Sequence, residues 1–486
     1  MKIKVLLLII CIGAIVSGCR KGTSTLPYDP VAESIKFSPP DKTPRPEGTA
    51  LELGLAGSAK VFCSALFVSG RRPEEAIVHS LTMFMPESER SHVTYSIDKA
   101  KKSVTMMYND TLSRSATFHG DCGCIIDTKN GLAFSPPVIT TTLPDASTQP
   151  WPMGDAVEKT GTPASIHPDS LKKAVETAFA PDSYTAAYLV IHKGRIIAER
   201  YDHEANANMQ LESWSMGKSI TALLIGRMIQ QGYFKLDDRA PVPAWQQEGD
   251  PRKEIRIKDL LQMSSGLHFL AHMDPEVKTY TQYLDHWYIY TGAVDVFTYS
   301  YSRPLQYVPG STGRYRNCDP LTAGYIIRKT CEENGLNYHQ YPQQHLFDKI
   351  GIRKQVLETD PYGNFLLSGY DYGTARNWGR LGLLCLQDGV WNGERLLPEG
   401  FVDFVSSPAP GWEPPRYGGF FWINIDTFPI KEKAYYAAGA GGQYTIIIPE
   451  KNLVVVRMGH FNGSAAGTRA LGKSLATLVN AIAPTP

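Results

Sequence analysis

The 486-residue sequence has no surplus of charge of either sign, since 49 Lys and Arg residues face 48 Asp and Glu residues and the net charge is +1. Proteins that bind nucleic acid neutralise phosphates with clustered cations, so we expect no nucleic-acid partner. The one long apolar run, residues 5–16, has only twelve residues, whereas a helix needs about 20 to cross a bilayer. A membrane-spanning helix is therefore not expected.

Three well-known catalytic and phosphate-binding motifs are also missing. There is no H-E-x-x-H zinc motif, and the residue two positions before Ser215 is Ser213 rather than the Gly of a G-x-S-x-G nucleophile elbow. A phosphate-binding loop ending in Gly-Lys-Ser at residues 217–219 would need Gly at position 212, which is occupied by Glu212. The sequence therefore predicts neither a metal centre nor a cofactor.

The N-terminus has the pattern of an export signal. Lys2 and Lys4 precede the apolar run, and small residues follow it. The sequence that ends at Cys19 resembles a bacterial lipobox, in which the Cys becomes the lipid-bearing first residue of the mature protein. We therefore expect residues 1–18 to be a signal peptide. The mature chain would be held by acyl chains on a membrane of the bacterial cell envelope, facing the periplasm or the exterior. An ordinary cleaved signal with an incidental Cys is the alternative.

Six of the eight cysteines lie beyond this signal: Cys63, Cys122, Cys124, Cys318, Cys331 and Cys385. Cysteines of exported proteins can pair because their compartment is oxidising. Cys63 and the Cys122-Gly123-Cys124 cluster fall in one N-terminal segment, so a disulfide from Cys63 to Cys124 or to Cys122 is expected. A metal site is disfavoured because no second Cys or His pair at zinc-finger spacing accompanies the cluster.

Proline content and hydrophobic patterning divide the rest of the chain. With 43% hydrophobic residues, the chain can form one large domain and a smaller one. Residues 19–50 are rich in proline and predict a stalk, and residues 51–135 show the alternation of a small strand-rich module. A second proline-rich stretch, residues 136–168, predicts a surface linker. Residues 169–486 then form the main domain.

The main domain has strands at both ends and a long helical middle. A helix with one apolar face follows Pro168, and a hairpin turns at residues 192–195. A second hairpin turns at residues 449–452, and an apolar-faced helix closes the domain. These elements predict an α+β fold: an antiparallel sheet built from both ends of the domain, flanked by helices, with an inserted helical lobe.

Ser215 and Lys218 are the most specific pair of chemically competent residues. They are three positions apart, so a helix would place them on one face. A desolvated Lys loses its proton near neutral pH and can act as base to the Ser hydroxyl. The N–H groups at the start of the helix would suit an anionic intermediate. Ser-x-x-Lys alone is common, however, because many helices begin with a capping Ser.

Two further segments make the pattern more specific, namely residues 255–267 and residues 308–317. With Ser215 and Lys218 they resemble the serine β-lactamase-like superfamily: class C β-lactamases, related esterases, DD-peptidases and 6-aminohexanoate-dimer hydrolases. The resemblance runs over residues 169–484. It implies that Ser215 is the acylated nucleophile, Lys218 its base, Tyr315 a proton shuttle with a pKa lowered by the Lys, and Asn317 an orienting and substrate-binding residue.

The third element of the family is a strand that carries Lys or His, a small residue and Gly. We match residues 437–439 to it, with Ala437 at the position of the basic residue. That residue helps to hold the substrate carboxylate in the family, so its replacement speaks against efficient β-lactam or D-Ala-D-Ala recognition. Gly439 lets a substrate approach the strand, and the Ala440 N–H is expected to join that of Ser215 as an oxyanion hole. Close strand packing is the alternative explanation of these small residues.

The resemblance therefore predicts a serine hydrolase that acts through an acyl-enzyme on small esters or amides. A β-lactamase or DD-peptidase, and a non-catalytic binding lipoprotein, remain as alternatives. His268 is interpreted as a loop residue near the cleft, and the segment beginning at Asp371 as structural. The aromatic residues of 280–290 are expected either to line the pocket or to pack the helical lobe.

Overall fold

The computed structural model describes residues 29–80, 84, 87–158, 163–277, 283–460 and 465–482. The predicted signal peptide and lipidation site, residues 1–18 and Cys19, lie outside the described residues. Within them the α-helices are α1 Pro30–Phe37, α2 Ala50–Phe67, α3 Pro73–Ser80, α4 Pro168–Ala178, α5 Gly217–Gln230, α6 Ile257–Leu261, α7 Asp285–Thr291, α8 Val296–Tyr301, α9 Cys318–Glu333, α10 Ala375–Leu386, α11 Phe401–Ser406 and α12 Ala466–Ala481.

The strands form four antiparallel sheets in the described part of the chain. The first contains β1 Val93–Asp98, β2 Ser103–Tyr108, β3 Leu112–Phe118 and β4 Cys124–Ile126 in that order. The main sheet contains β5 Thr185–His192, β6 Arg195–Tyr201, β12 Trp422–Ile423, β13 Tyr435–Gly439, β14 Gln443–Ile448 and β15 Leu453–Gly459. A small sheet contains β7 Leu211–Glu212, β8 Val356–Leu357 and β9 Asp371–Gly373, and a short ribbon contains β10 Val390–Trp391 and β11 Glu394–Arg395.

The main sheet confirms the α+β prediction. Its order is β12-β13-β14-β15-β5-β6, so strands from both ends of the domain meet where β15 pairs with β5. Both faces are covered: Tyr188 and Val190 of β5 pack in one core with α4 and α12, and Leu189 and Ile191 pack in the other with α5 and α10. Burial on both faces explains why β5 and β15 are mostly apolar rather than alternating.

The N-terminal module contains a helix where the sequence analysis expected strands. Residues 50–67 form α2, which packs on the sheet of β1–β4 through Val104, Met106 and Ala116. Its N-terminus has a capping box, because Thr49 Oγ1 accepts from Glu52 N–H and Glu52 Oε2 accepts from Thr49 N–H. Of the described helices, α2 is long and apolar enough by length and composition to span a membrane, but most of it is buried in this core.

The predicted stalk is also structured where it is described. Asp29 caps α1, and Pro30 occupies the first turn, where its missing N–H costs nothing. Ser34 Oγ accepts from Leu305 N–H at 2.9 Å, and Arg252 Nη1 donates to Ser38 Oγ at 2.5 Å. Residues 30–38 therefore pack against the main domain instead of extending away from it.

A disulfide joins Cys63 of α2 to Cys124 of β4, which is one of the two pairings left open by the sequence. The described thiols of Cys122, Cys318, Cys331 and Cys385 are free and buried. The bridge therefore ties α2 to the sheet within the N-terminal module. The side chains of this module and of the main domain share one continuous core.

Candidate active site

The small sheet leads directly into Ser215. Its strand β7 ends at Glu212, a tight turn follows at Trp214–Met216, and α5 begins at Gly217. Ser213 fixes the turn because its N–H donates to the Asp371 carbonyl at 3.0 Å and its Oγ donates to Asp371 Oδ2 at 2.5 Å. Trp214 has a φ of +52°, which is a strained conformation for a bulky residue. The turn thus brings Ser215 to the surface of a cleft.

Lys218 approaches Ser215 as the spacing predicts. Its Nζ lies 2.9 Å from Ser215 Oγ and donates to the Ser368 carbonyl at 2.5 Å. The same Nζ lies 4.9 Å from the centroid of the Tyr315 ring. Tyr315 and Ser215 line the same cleft. Lys218 and Tyr315, from two separate parts of the sequence, therefore lie together beside the Ser215 hydroxyl.

Burial controls the protonation of this group. It lowers the pKa of Lys218 well below its usual value, and the nearby Asp371 only partly opposes the effect. Burial also raises the pKa of Tyr315, although the hydrogen bond with Ser215 acts in the other direction. The expectation that the Lys would lower the pKa of Tyr315 is therefore wrong, because desolvation of the phenolate outweighs any cation. Lys218 is suited to accept a proton, and Tyr315 keeps its own.

Asn317 is not among the described lining residues of the cleft. It is completely buried directly before α9, and its Nδ2 donates to the His286 carbonyl at 3.0 Å. Its Oδ1 has no hydrogen-bond partner among the described residues. Through this hydrogen bond Asn317 links the start of α9 to α7.

Strand β13 forms the wall opposite Ser215. Gly439 and Ala440 line the cleft together with Ser215. A Cβ on Gly439 would collide with the Ser213 carbonyl. The glycine is therefore required by the close approach of β13 to the chain directly before the turn at Trp214–Met216. Ala437, matched to the family's basic residue, is buried in the core, outside the described lining of the cleft.

The cleft has a volume of about 660 Å³. Its walls are largely aromatic, and its described lining residues are Trp214, Ser215, His272, Met273, His286, Trp287, Tyr290, Tyr315, Arg416, Trp422, Asp426, Thr427, Tyr436, Ala438, Gly439, Ala440 and Tyr444. Two residues of the aromatic segment, Trp287 and Tyr290, line it, whereas Tyr288 packs on Tyr299 in the helical lobe. His268 is not among the described lining residues.

Several residues at the site were not singled out as functional in the sequence. Asp371 anchors Ser213, and the Ser368 carbonyl holds Lys218, yet both lie about 150 residues further along the chain. His272 stacks on Trp287 with ring centroids 5.3 Å apart. Burial, followed by the charge on Lys218, lowers the pKa of His286 well below its usual value, so His286 is neutral. No local pattern marks any of these residues, because each meets the site only through the tertiary fold.

With this geometry established, comparison with known proteins identifies the family. A sequence model of the Beta-lactamase family matches residues 173–477, well over half of the chain. The chain belongs to the Beta-lactamase family. The match covers Ser215, Lys218, Tyr315 and strand β13, and it begins only within α4, so the N-terminal module lies outside it.

Individual proteins similar to this chain have low sequence identity to it. The chain is 25% identical over 232 residues to a 6-aminohexanoate-dimer hydrolase from Paenarthrobacter ureafaciens, and this alignment covers 46% of the chain and 57% of that relative. The chain thus spans little more than half of that relative's length. Among solved structures, a candidate 6-aminohexanoate-dimer hydrolase from Bacillus anthracis is similar with a TM-score of 0.50 and 19% identity, over 64% of this chain and 80% of that chain.

A family VIII carboxylesterase is similar with a TM-score of 0.51 and 13% identity, over 66% of this chain and 99% of that one. At these identities the two structures establish the shared fold and nothing about the reaction. The fold expected from the sequence is therefore confirmed both by the described sheet and by its structural relatives.

Proposed function

We propose that the protein is a serine hydrolase that cleaves small esters or amides through an acyl-enzyme on Ser215. The observation that carries this proposal is the 2.9 Å separation of Lys218 Nζ and Ser215 Oγ. Burial lowers the pKa of this Lys, so its amine is available as a base for the serine hydroxyl. The family membership and the hydrolase names of the relatives support the same chemistry.

In the first half-reaction Lys218 takes the Ser215 proton while Oγ attacks the carbonyl carbon, and the carbonyl oxygen becomes an oxyanion. The N–H groups of Ser215 and Ala440 stabilise this oxyanion, because both residues line the cleft. Tyr315 donates its proton to the leaving group as the bond to the carbonyl carbon breaks, and the Lys218 ammonium returns a proton to Tyr315. Water then attacks the acyl ester, which releases the acid and restores the Ser215 hydroxyl.

The cleft favours small substrates with apolar acyl groups. Its aromatic walls, including Trp214, Trp287 and Trp422, offer van der Waals contact, and Arg416 and Asp426 are the charged residues in its described lining. The relative named 6-aminohexanoate-dimer hydrolase supports linear amides as a substrate class. We expect slow turnover of β-lactams and of D-Ala-D-Ala peptides, because Ala437 supplies no cation for a substrate carboxylate.

Intact-mass spectrometry of the full chain in detergent tests the proposal. The protein is mixed separately with a fluorophosphonate, p-nitrophenyl butyrate and a penicillin. We expect one adduct per chain with the fluorophosphonate and turnover of the butyrate, both abolished in Ser215→Ala. Ser219→Ala is the matched control, because Ser219 lies on α5 but donates to the Phe420 carbonyl, away from the cleft. A chain that reacts with none of the three reagents would instead support a non-catalytic binding lipoprotein.

We also propose that the enzyme is a lipoprotein of the bacterial cell envelope, attached through Cys19. The basic residues, the apolar run and the lipobox-like end of residues 1–18 support this location. Metabolic labelling with a fatty acid is expected to mark the wild-type chain and not Cys19→Ser. Equal labelling of the two, or release of both from the membrane fraction, would contradict the anchor.

A further inference from the structure

One face of α2 carries polar side chains into the interior of the protein. Lys60, Cys63 and Ser64 share this face because they occupy positions i, i+3 and i+4. Lys60 Nζ lies 2.6 Å from Glu358 Oε2, and Ser64 Oγ donates to Glu358 Oε1 at 2.6 Å. Because α2 lies outside the family match at residues 173–477, this lysine enters the domain from the N-terminal module.

Both oxygens of the Glu358 carboxylate accept hydrogen bonds from Lys60 or from residues near it. Cys124 N–H donates to Oε1 at 2.8 Å, and Lys60 also donates to the Cys124 carbonyl. The disulfide from Cys63 to Cys124 holds both partners in place. The side chains of Lys60 and Glu358 are only 2% and 0% exposed. A carboxyl group buried to this degree stays ionised only beside a cation, and Lys60 is the described cation that contacts it.

Two further carboxyl groups lie close to Glu358, those of Glu212 and Asp371. The residues belong to the small sheet or directly follow it, since Glu212 pairs with Tyr372, Leu357 pairs with Asp371, and Glu358 comes next after Leu357. Burial and then the charge of Glu358 raise the pKa of Glu212 to about 8. The pKa of Asp371 is also raised, first by burial and then by Glu212. The sheet therefore concentrates carboxyl groups in a dry interior.

The same sheet positions the nucleophile. Asp371 holds Ser213 by two hydrogen bonds, and Ser215 lies two residues further on. Lys218 is held by the Ser368 carbonyl, in the loop that leads to β9. The N-terminal module also touches Trp214 directly, because the ring centroid of Phe84 lies 6.1 Å from that of Trp214. A shift of this sheet would move Ser215 relative to Lys218, and a displacement of about 1 Å can reduce the rate about 100-fold.

We propose that Lys60 is a positioning residue for Ser215, acting from the N-terminal module through Glu358 and the small sheet. Lys60 supplies the counter-charge that allows Glu358 to remain buried beside Glu212 and Asp371. The sheet then keeps the geometry in which Ser215 Oγ meets Lys218 Nζ. The inference deepens the proposed function and rests on it for its catalytic readout, whereas its structural readout is independent.

Three variants of the full chain test this role. Lys60→Met removes the counter-charge with little change of volume. Lys60→Met/Glu358→Gln removes both charges and keeps an oxygen to accept from Ser64 and Cys124. Val61→Ala is the matched control, because Val61 is buried on the same helix and loses packing but no charge. Each variant is characterised by kcat and KM for p-nitrophenyl butyrate and by hydrogen exchange of the peptide covering residues 209–220.

For Lys60→Met we expect kcat to fall at least about tenfold, KM to stay within about threefold, and exchange in residues 209–220 to rise. The double variant should regain most of kcat and most of the protection, and Val61→Ala should retain both. Unchanged kcat and exchange in Lys60→Met would overturn the proposal. A double variant as impaired as the single variant would also overturn it, since loss of packing would then explain the effect.

The remaining outcomes are equally informative. If Lys60→Met does not fold, the double variant decides the question. A folded double variant with wild-type kcat and exchange supports the role of Lys60 as the counter-charge of Glu358. A folded double variant that has lost kcat and protection from exchange overturns the proposal. If the wild-type chain neither reacts with a fluorophosphonate nor hydrolyses the ester, the proposed function fails. The exchange of residues 209–220 in the variants then decides the positioning role by itself.

Discussion

Replacing Lys218 with methionine is expected to remove a specific pH dependence of stability. Lys218 is 1% exposed, and burial lowers the pKa of its amine well below the unfolded value of about 10.4. Between these two pKa values the unfolded chain binds a proton that the folded chain does not. The free energy of unfolding therefore rises with pH in this window, by up to about 1.4 kcal/mol per pH unit. The methionine side chain does not bind a proton in this pH range, so the variant loses this pH-dependent part of the free energy of unfolding.

The measurement is urea unfolding of the wild type and Lys218→Met at pH 7.5 and pH 9.5. From pH 7.5 to pH 9.5 the free energy of unfolding of the wild type should rise by up to about 2.7 kcal/mol more than that of the variant. Other titrating groups are common to both proteins and cancel in the difference. Equal gains in the two proteins would refute the reasoning, because they would mean that Lys218 is protonated in the folded state throughout this range.

The same substitution removes the proposed base for Ser215. A positioned general base contributes about 10²- to 10⁴-fold to the rate, which corresponds to about 3–5 kcal/mol of activation free energy. We expect Lys218→Met to react with a fluorophosphonate slower by a factor in this range, while remaining folded by circular dichroism. A rate within tenfold of wild type would show that another group takes the Ser215 proton.

Three further predictions concern the strand, the tyrosine and the disulfide. Gly439→Ala should reduce kcat at least about 100-fold, because the new Cβ collides with the Ser213 carbonyl and displaces β13; a fully active variant in the ester assay would contradict this. Tyr315→Phe should slow hydrolysis of an alkyl amide at least about tenfold more than hydrolysis of p-nitrophenyl butyrate. The reason is that the amine leaving group needs a proton as it departs, whereas p-nitrophenolate does not. Equal losses of rate on the two substrates would exclude Tyr315 as the proton donor. Replacing both Cys63 and Cys124 with Ala should lower the free energy of unfolding by about 4 kcal/mol for the 61-residue separation that the bridge closes. A loss below about 1 kcal/mol would mean that the unfolded chain keeps these two residues close without the bridge.

The features predicted well from the sequence depend on neighbours along the chain. Ser215 and Lys218 are separated by less than one helical turn, so their approach needs only local structure. The hairpin of β5 and β6 and that of β14 and β15 likewise depend on adjacent apolar runs and their turns. The fold class followed because these hairpins stand at the two ends of one domain.

The prediction failed for α2 because its burial hides the usual signal. All of residues 53–65 are buried, so no polar stripe marks a period of 3.6 residues. The Thr49–Glu52 capping box was the one local cue to this helix. Helix α1 was missed for a different reason, because the proline-rich sequence around it was read as disfavouring a helix. Pro30 is nevertheless compatible with α1, since it occupies the first turn.

The sequence by itself indicated the Ser215–Lys218 pair and the two hairpins of the main sheet, because each arises from residues close together in the chain. Only the tertiary structure decided what surrounds them. Asp371 reaches Ser213 across 158 residues, and Lys60 reaches Glu358 across 298. No periodicity or motif in the sequence indicates such a pairing. The partners lie far apart in the chain and come together only in the core that the N-terminal module and the main domain share.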